Sequence, residues 1–218
     1  VVAITAYIAS LALDPRAALA PRGVFDLFAP GGRALIALGM AGAVPWQAGH
    51  WWTVLTAIYL HGSLLHILFN LLWIRQLLPD VGEVYGQART IVIFTLSGAA
   101  GFLLSNAAGN PFTLGASGAV FGVLGAMVWY GRRRGGLFGA AVLRQYGSWA
   151  LILFVFGLVG MRVDNWGHAG GFLGGVLVAL LLGAGDQHPE RGIHRVLAAA
   201  CLALTAAAFA LQLWTAFA

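Results

Sequence analysis

Residues 114–134 read Leu114-Gly-Ala-Ser117-Gly118-Ala-Val-Phe121-Gly122-Val-Leu-Gly125-Ala-Met-Val-Trp-Tyr-Gly131-Arg132-Arg133-Arg134, and this stretch decides what kind of molecule the chain is. From 115 to 131 it holds no charged residue, and it closes on three arginines. An apolar run of that length, ended by a basic cluster, reads as a membrane-spanning helix whose basic end is retained in the cytoplasm. The run opens on a serine flanked by glycines, and Gly118, Gly122 and Gly125 continue a small face at helical spacing.

The rest of the chain has the same character. Of its 218 residues 60% are hydrophobic and 9% charged, with a mean hydropathy of +0.85, too apolar for an ordinary water-soluble domain. The net charge of +5 comes from 12 arginines and no lysine. Each arginine lies between or beside apolar runs, so anionic lipid and topology explain the charge and nucleic acid is not an expected partner. The single cysteine, Cys201, sits inside the last apolar run without a partner for a disulfide or a metal site.

Apolar runs fall at about 1–13, 53–75, 90–107, 115–131, 147–162, 167–184 and 195–217. A helix needs roughly 20 residues to cross the hydrocarbon core, and most of these runs qualify. The first is short, opens on Val1, and lacks the basic flank and small-residue cleavage site of a signal peptide. A turn around Arg162–Trp166 separates the fifth and sixth runs as an antiparallel pair. Loops after the second, fourth and sixth runs hold Arg75, Arg89, Arg132, Arg133, Arg134, Arg144, Arg191 and Arg195, against Arg16, Arg22, Arg33 and Arg162 on the other side. That bias predicts a cytoplasmic amino terminus and, with seven spans, an exoplasmic carboxyl terminus. The connection 14–52 is long. Its apolar part, 34–49, is broken by Pro45 and glycines and is expected to lie in the interface, with Trp46, Trp51 and Trp52 at headgroup depth.

Polar groups inside spans are costly and mark function, and here they gather at span starts. The second span begins His61-Gly-Ser-Leu-Leu-His66-Ile-Leu-Phe-Asn70, the fourth at Ser117, and the sixth Asn165-Trp-Gly-His168. All three starts lie on one side, so polar clusters from distant sequence reach similar depth. Ser117, between Gly115 and Gly118, would be open to attack chemistry beside free helix N–H groups, or would simply cap and pack its helix. His168 can serve as base to a serine hydroxyl, or be an interfacial histidine bonded to a carbonyl. No carboxylate lies within a span beside it; Asp164, at the edge, is a candidate orienting group. His66 and Asn70, four apart, share a helical face and carry donors suited to an oxyanion or to interhelical bonding, and His61 sits nearer the surface. Gly118, Gly122 and Gly125 on one span and Gly171 and Gly175 on the other permit the close approach that would bring Ser117 to His168.

Together, His61 and His66-x-x-x-Asn70, Gly115-Ala-Ser117-Gly118, and His168-x-x-Gly171-x-x-x-Gly175 resemble the rhomboid intramembrane serine proteases. The resemblance covers the chain from the long first loop to about Gly183. It implies an all-α polytopic fold, with a six-helix core over 1–184 and a loop and additional carboxyl-terminal helix over 185–218. It implies Ser117 as nucleophile and His168 as base, with Asn70, His66 and the Ser117 amide lining the oxyanion hole. Phe121 matches an aromatic position that packs on the catalytic histidine. It further implies single-span or other transmembrane protein substrates, cut near their exoplasmic end, and no cofactor or metal. The chain is then an integral multi-pass protein, expected in a bacterial cell membrane with its amino terminus cytoplasmic. One departure is Trp51-Trp52, where the family often carries Trp-Arg before the second span. Two readings compete: a non-catalytic rhomboid-like factor that binds or escorts membrane proteins, and a transporter or channel, which would call for an intramembrane carboxylate or an internal repeat.

Overall fold

The computed structural model describes residues 1–20, 23–158, 163–184 and 189–217. Arg22, Arg162, the end of the fifth predicted span and the 184/185 boundary fall at or outside these limits. The described residues form helices α1 (Val2–Leu13), α2 (Pro15–Ala18), α3 (Gly32–Ala37), α4 (Ala43–Gln47), α5 (Thr53–Thr56), α6 (Leu64–Tyr85), α7 (Gln87–Ala107), α8 (Ser117–Arg134), α9 (Gly136–Leu158), α10 (Asn165–Leu182) and α11 (Gly192–Phe217). Two 3-10 turns, Val24–Asp26 and Ala57–Tyr59, interrupt the first half. Among the described residues the β structure is one isolated bridge, Ala41 to Thr113.

Helices α6, α7, α9, α10 and α11 are long and apolar enough to cross a membrane. α8 is nearly as apolar until its last turn, where Arg132, Arg133 and Arg134 complement the negative end of the helix dipole. It is also the centre of the molecule, with twelve of its eighteen residues buried. α7 and α10 flank it. A core of Val120, Phe121, Val123, Leu124 and Met127 packs on Leu77 and Val81 of α6 and Ile93 of α7. Tyr85 closes this core, its hydroxyl donating to the Ala126 carbonyl at 2.7 Å.

α7, α10 and α11 begin two or three residues before their expected starts, and three other spans also have different bounds. The apolar run 53–75 does not form one helix. Leu60 is extended, and Ser63 begins α6 as an N-cap whose side chain accepts from His66 N at 3.3 Å. Residues 53–59 are therefore a short helix and a turn belonging to the loop. α6 instead runs on to Gly86, whose φ of +85° ends it, so Arg75 is a helix residue. α8 extends to Arg134 and stops at Gly135, with φ +63°. α9 begins at Gly136, well before the predicted 147, because Gly139 lies against the backbone of Gly131 and lets the two helices touch. Arg144 is thereby also a helix residue, as are Arg89 in α7, Arg132–Arg134 at the end of α8 and Arg195 in α11, so of the eight arginines expected in loops only Arg191 lies outside a helix.

The long first connection holds only short helices, as the Pro and Gly breaks require. Ala41 is fully buried and Leu35 and Leu38 nearly so, which makes the connection a packed part of the structure. Trp46 and Trp51 face outward. Trp52 departs from the headgroup position expected of it: it turns inward and donates its indole N–H to Gln212 Oε1 at 2.9 Å.

Candidate active site

Ser117 is the first residue of α8. Gly115, with φ +121°, makes the turn into the helix, a conformation that a side-chain-bearing residue rarely adopts. Gly115 N donates to the Ala57 carbonyl at 2.9 Å, tying this turn to the first connection. No side chain caps α8, so the first-turn N–H groups remain available beside Ser117.

His168 is in the first turn of α10, its backbone N donating to the Asp164 carbonyl at 3.0 Å. Its ring Nε2 lies 3.0 Å from Ser117 Oγ. The Phe121 ring stacks on the imidazole at 4.2 Å between centroids and 19° between planes, which fixes the ring face. Nδ1 is buried and has no hydrogen-bond partner among the described residues. When Nε2 accepts from the serine, Nδ1 carries the other proton.

Glycines allow this approach. A Cβ on Gly171 would run into the Gly118 carbonyl, one on Gly175 into the Gly122 carbonyl, and one on Gly125 into the Phe172 carbonyl. The α8 and α10 backbones are thus in direct contact from Ser117 downward. α7 packs on the adjacent face of α10, where a Cβ on Gly170 would lie 2.7 Å from that of Leu104, and one on Gly101 would lie 2.6 Å from the Gly167 carbonyl.

His66 and Asn70 stand on α6 beside this seam. His66 Nδ1 accepts from Gly62 N at 3.3 Å, so Nε2 carries the ring proton. That Nε2 faces Gly115 so closely that a Cβ there would be 2.7 Å away. Asn70 is buried, and its amide donates to the His66 carbonyl at 2.9 Å. His61 is buried ahead of α6, Nδ1 3.3 Å from the Tyr59 carbonyl and its ring edge-on to His66 at 5.1 Å. Burial pushes its imidazole down to about 3.

Asp164 contributes something the sequence did not reveal. Its carboxylate accepts from Ser105 Oγ (2.5 Å), Asn110 Nδ2 (2.8 Å), Thr113 Oγ1 (2.6 Å) and Gly167 N (2.8 Å). It is the N-cap of α10 and joins that helix to the end of α7 and the approach to α8; the His168 ring is not among its partners. The signal lay in an aspartate placed three residues before Gly167 at a helix start. An apolar cavity of about 410 Å³ opens between α8, α9 and α10, lined by Phe121, Phe154, His168, Phe172 and Leu173 among others.

Residues 48–185 match the sequence pattern of the Rhomboid domain. Over 167 residues, 74% of the chain, it is 33% identical to rhomboid protease GluP of Bacillus subtilis (strain 168), of which it covers 31%. It is 35% identical over 160 residues to rhomboid-like protease 3 of Toxoplasma gondii, covering 68% of the chain and 58% of that relative. With rhomboid protease GlpG of Salmonella newport (strain SL254) it shares 32% identity over 133 residues, 60% of the chain and 48% of the relative. The chain spans from about a third to somewhat over half the length of these relatives. With the domain matched over most of the chain and its helices long and apolar enough to span a bilayer, this integral multi-pass membrane protein belongs to the rhomboid family.

Proposed function

We propose that the chain is an intramembrane serine endopeptidase that cleaves transmembrane-anchored proteins near the exoplasmic membrane face, with Ser117 as nucleophile and His168 as general base. The observation that carries this is the 3.0 Å separation of His168 Nε2 and Ser117 Oγ, within the reach proton transfer requires. His168 takes the hydroxyl proton as Oγ attacks the scissile carbonyl. The developing oxyanion is met by the Ser117 N–H, the His66 Nε2–H and the Asn70 amide, which exchanges its bond to the His66 carbonyl for one to the substrate. The imidazolium then returns the proton to the leaving amine, and a water repeats the sequence on the acyl-enzyme. Phe121 holds the imidazole plane throughout. The amino terminus is assigned to the cytoplasm, which puts Ser117 toward the exoplasmic side.

The test is labelling of detergent-solubilised protein with a serine-directed fluorophosphonate, alongside cleavage of a model single-span substrate. Ser117→Ala is expected to abolish both, and His168→Ala to abolish cleavage, with folding intact. Cleavage surviving in either variant removes the dyad. Asn70→Ala is expected to lower turnover roughly 10²–10³-fold, as loss of one oxyanion donor does elsewhere. A wild-type protein that binds membrane clients but neither labels nor cleaves is the escort factor instead.

A further inference from the structure

α11 carries two large polar residues, His194 and Gln212, at the ends of an otherwise small buried face. Its buried positions His194, Ala198, Cys201, Thr205, Ala208 and Gln212 recur at alternating steps of three and four, a single stripe along the helix. The lower part of the stripe, Ala198 and Cys201, packs on Ala88 and Val92 of α7. The top of the stripe is different. Gln212 is 3% exposed, and all of its amide is engaged: Nε2 donates to the Ile36 carbonyl at 3.0 Å and the Ala37 carbonyl at 3.1 Å, and Oε1 accepts from Trp52 Nε1 at 2.9 Å. Ile36 and Ala37 are the last residues of α3, where a helix leaves carbonyls without intrahelical donors. One side chain of α11 therefore closes the end of α3 and holds the indole that follows α4.

The stretch so held leads to the site. Beyond α3, Thr56 Oγ1 donates to the Gly39 carbonyl at 2.7 Å, and a Cβ on Gly39 would meet Gln212 Cγ at 3.1 Å. Ala41 accepts from Thr113 N at 2.8 Å, and Ala43 N donates to the Asn110 carbonyl at 2.7 Å. Thr113 and Asn110 are two of the side chains on the Asp164 carboxylate that starts α10, the helix of His168. On the other branch, Ala57, just past Trp52 and α5, accepts from Gly115 N at the turn into Ser117.

We propose that Gln212 is a positioning residue through which α11 anchors the first connection over the site, so that the carboxyl-terminal helix is a working part of the protein. The anchoring itself is independent of the chemistry; its effect on turnover rests on the protease reading above. Gln212→Met keeps the length of the side chain and removes its three hydrogen bonds, and Trp52→Phe removes one of them.

Hydrogen–deuterium exchange in detergent tests the anchor directly. The amides of Leu38, Gly39 and Met40 are hydrogen-bonded within this connection at 2.9–3.0 Å. In Gln212→Met, amides in 34–44 are expected to exchange at least tenfold faster while those of α8 and α10 hold their rates. In Trp52→Phe the same segment is expected to exchange about threefold faster. With a single-span substrate, Gln212→Met is expected to lower kcat about tenfold at unchanged KM, since it depletes the competent arrangement without touching substrate. Exchange in 34–44 that is unchanged, or that accelerates equally in α8 and α10, overturns the anchor. If Gln212→Met fails to fold, the Trp52→Phe exchange decides alone. Should wild-type protein neither label with fluorophosphonate nor cleave, the protease reading fails, and the exchange result still stands or falls by itself.

Discussion

The α8–α10 seam and the α6–α9 pair are held by opposite means. α8 and α10 meet backbone to backbone through Gly118, Gly122, Gly171 and Gly175, and the Ser117, Phe121 and His168 side chains meet at the head of this contact. α6 and α9 meet through large rings, Phe69 on Phe156 at 6.4 Å and Trp73 on Trp149 at 5.6 Å between centroids. Burial follows the same division: twelve of eighteen residues in α8, against five of twenty-two in α6 and four of twenty-three in α9. α9 is fixed near its start, by Gly139 against Gly131 and by the Tyr146 hydroxyl donating to Asp80 at 2.5 Å, while toward its end Phe156 supplies only a ring contact. Backbone contact leaves nothing to rotate, whereas aromatic rings can turn aside. The molecule thus combines a seam of backbone contact beneath Ser117 and His168 with a flank joined by aromatic side chains.

Substitutions that swap the two kinds of contact give the largest effect. Gly171→Val or Gly175→Val drives a branched side chain into a carbonyl of α8, where neither backbone can retreat. The expected cost is about 3 kcal/mol or more, read as loss of the folded fraction and of fluorophosphonate labelling in detergent. Folded, labelled protein carrying either valine would mean that the seam has slack.

Asp164→Asn comes next. It keeps the shape but turns one acceptor oxygen into a donor facing the hydroxyls of Ser105 and Thr113 or the N–H groups of Asn110 and Gly167. Leaving such groups unpaired costs roughly 1–3 kcal/mol. A lowered thermal midpoint and slower labelling are expected, because the start of α10 carries His168. An unchanged midpoint would mean that Asp164 does not join α10 to α7.

The smallest effect belongs to the aromatic flank. Phe69→Ala and Phe156→Ala remove a ring pair worth about 0.5–1.5 kcal/mol beyond its area, on residues already half exposed. The thermal midpoint should move little, labelling should hold, and cleavage of a single-span substrate should be maintained or faster. A collapse in stability comparable to that of the glycine variants would erase the contrast between the two regions.

The same contrast explains what could be read from the sequence. Ser117 and His168 could be paired because glycines at four-residue spacing follow each of them, a pattern written within single helices. The start of α6 was misread because 53–60 and 64–75 form one apolar run, and hydropathy gives little weight to Gly62 and to the Ser63 N-cap. Charge read as a boundary puts Arg75, Arg89, Arg132–Arg134, Arg144 and Arg195 in loops, yet all of them are helix residues, arginine being a good helix former. Asp164 appeared as an edge residue: its partners Ser105, Asn110 and Thr113 lie more than fifty positions away, and only folding gathers them. Trp52 and Gln212, 160 residues apart, leave no trace of each other in the linear pattern.

The length of α8 has a consequence for the lipid. From Ser117 to Gly131 the helix offers fifteen residues before its arginines, about 22 Å at 1.5 Å per residue, against a hydrocarbon core of about 30 Å. With Arg132–Arg134 at one headgroup layer, Ser117 sits about 8 Å short of the other, a depth that the central position of α8 among the longer α6, α7, α9 and α11 permits. The proposed nucleophile then lies within the hydrocarbon layer, and the water that its chemistry would consume has to be admitted by the protein and not by the lipid.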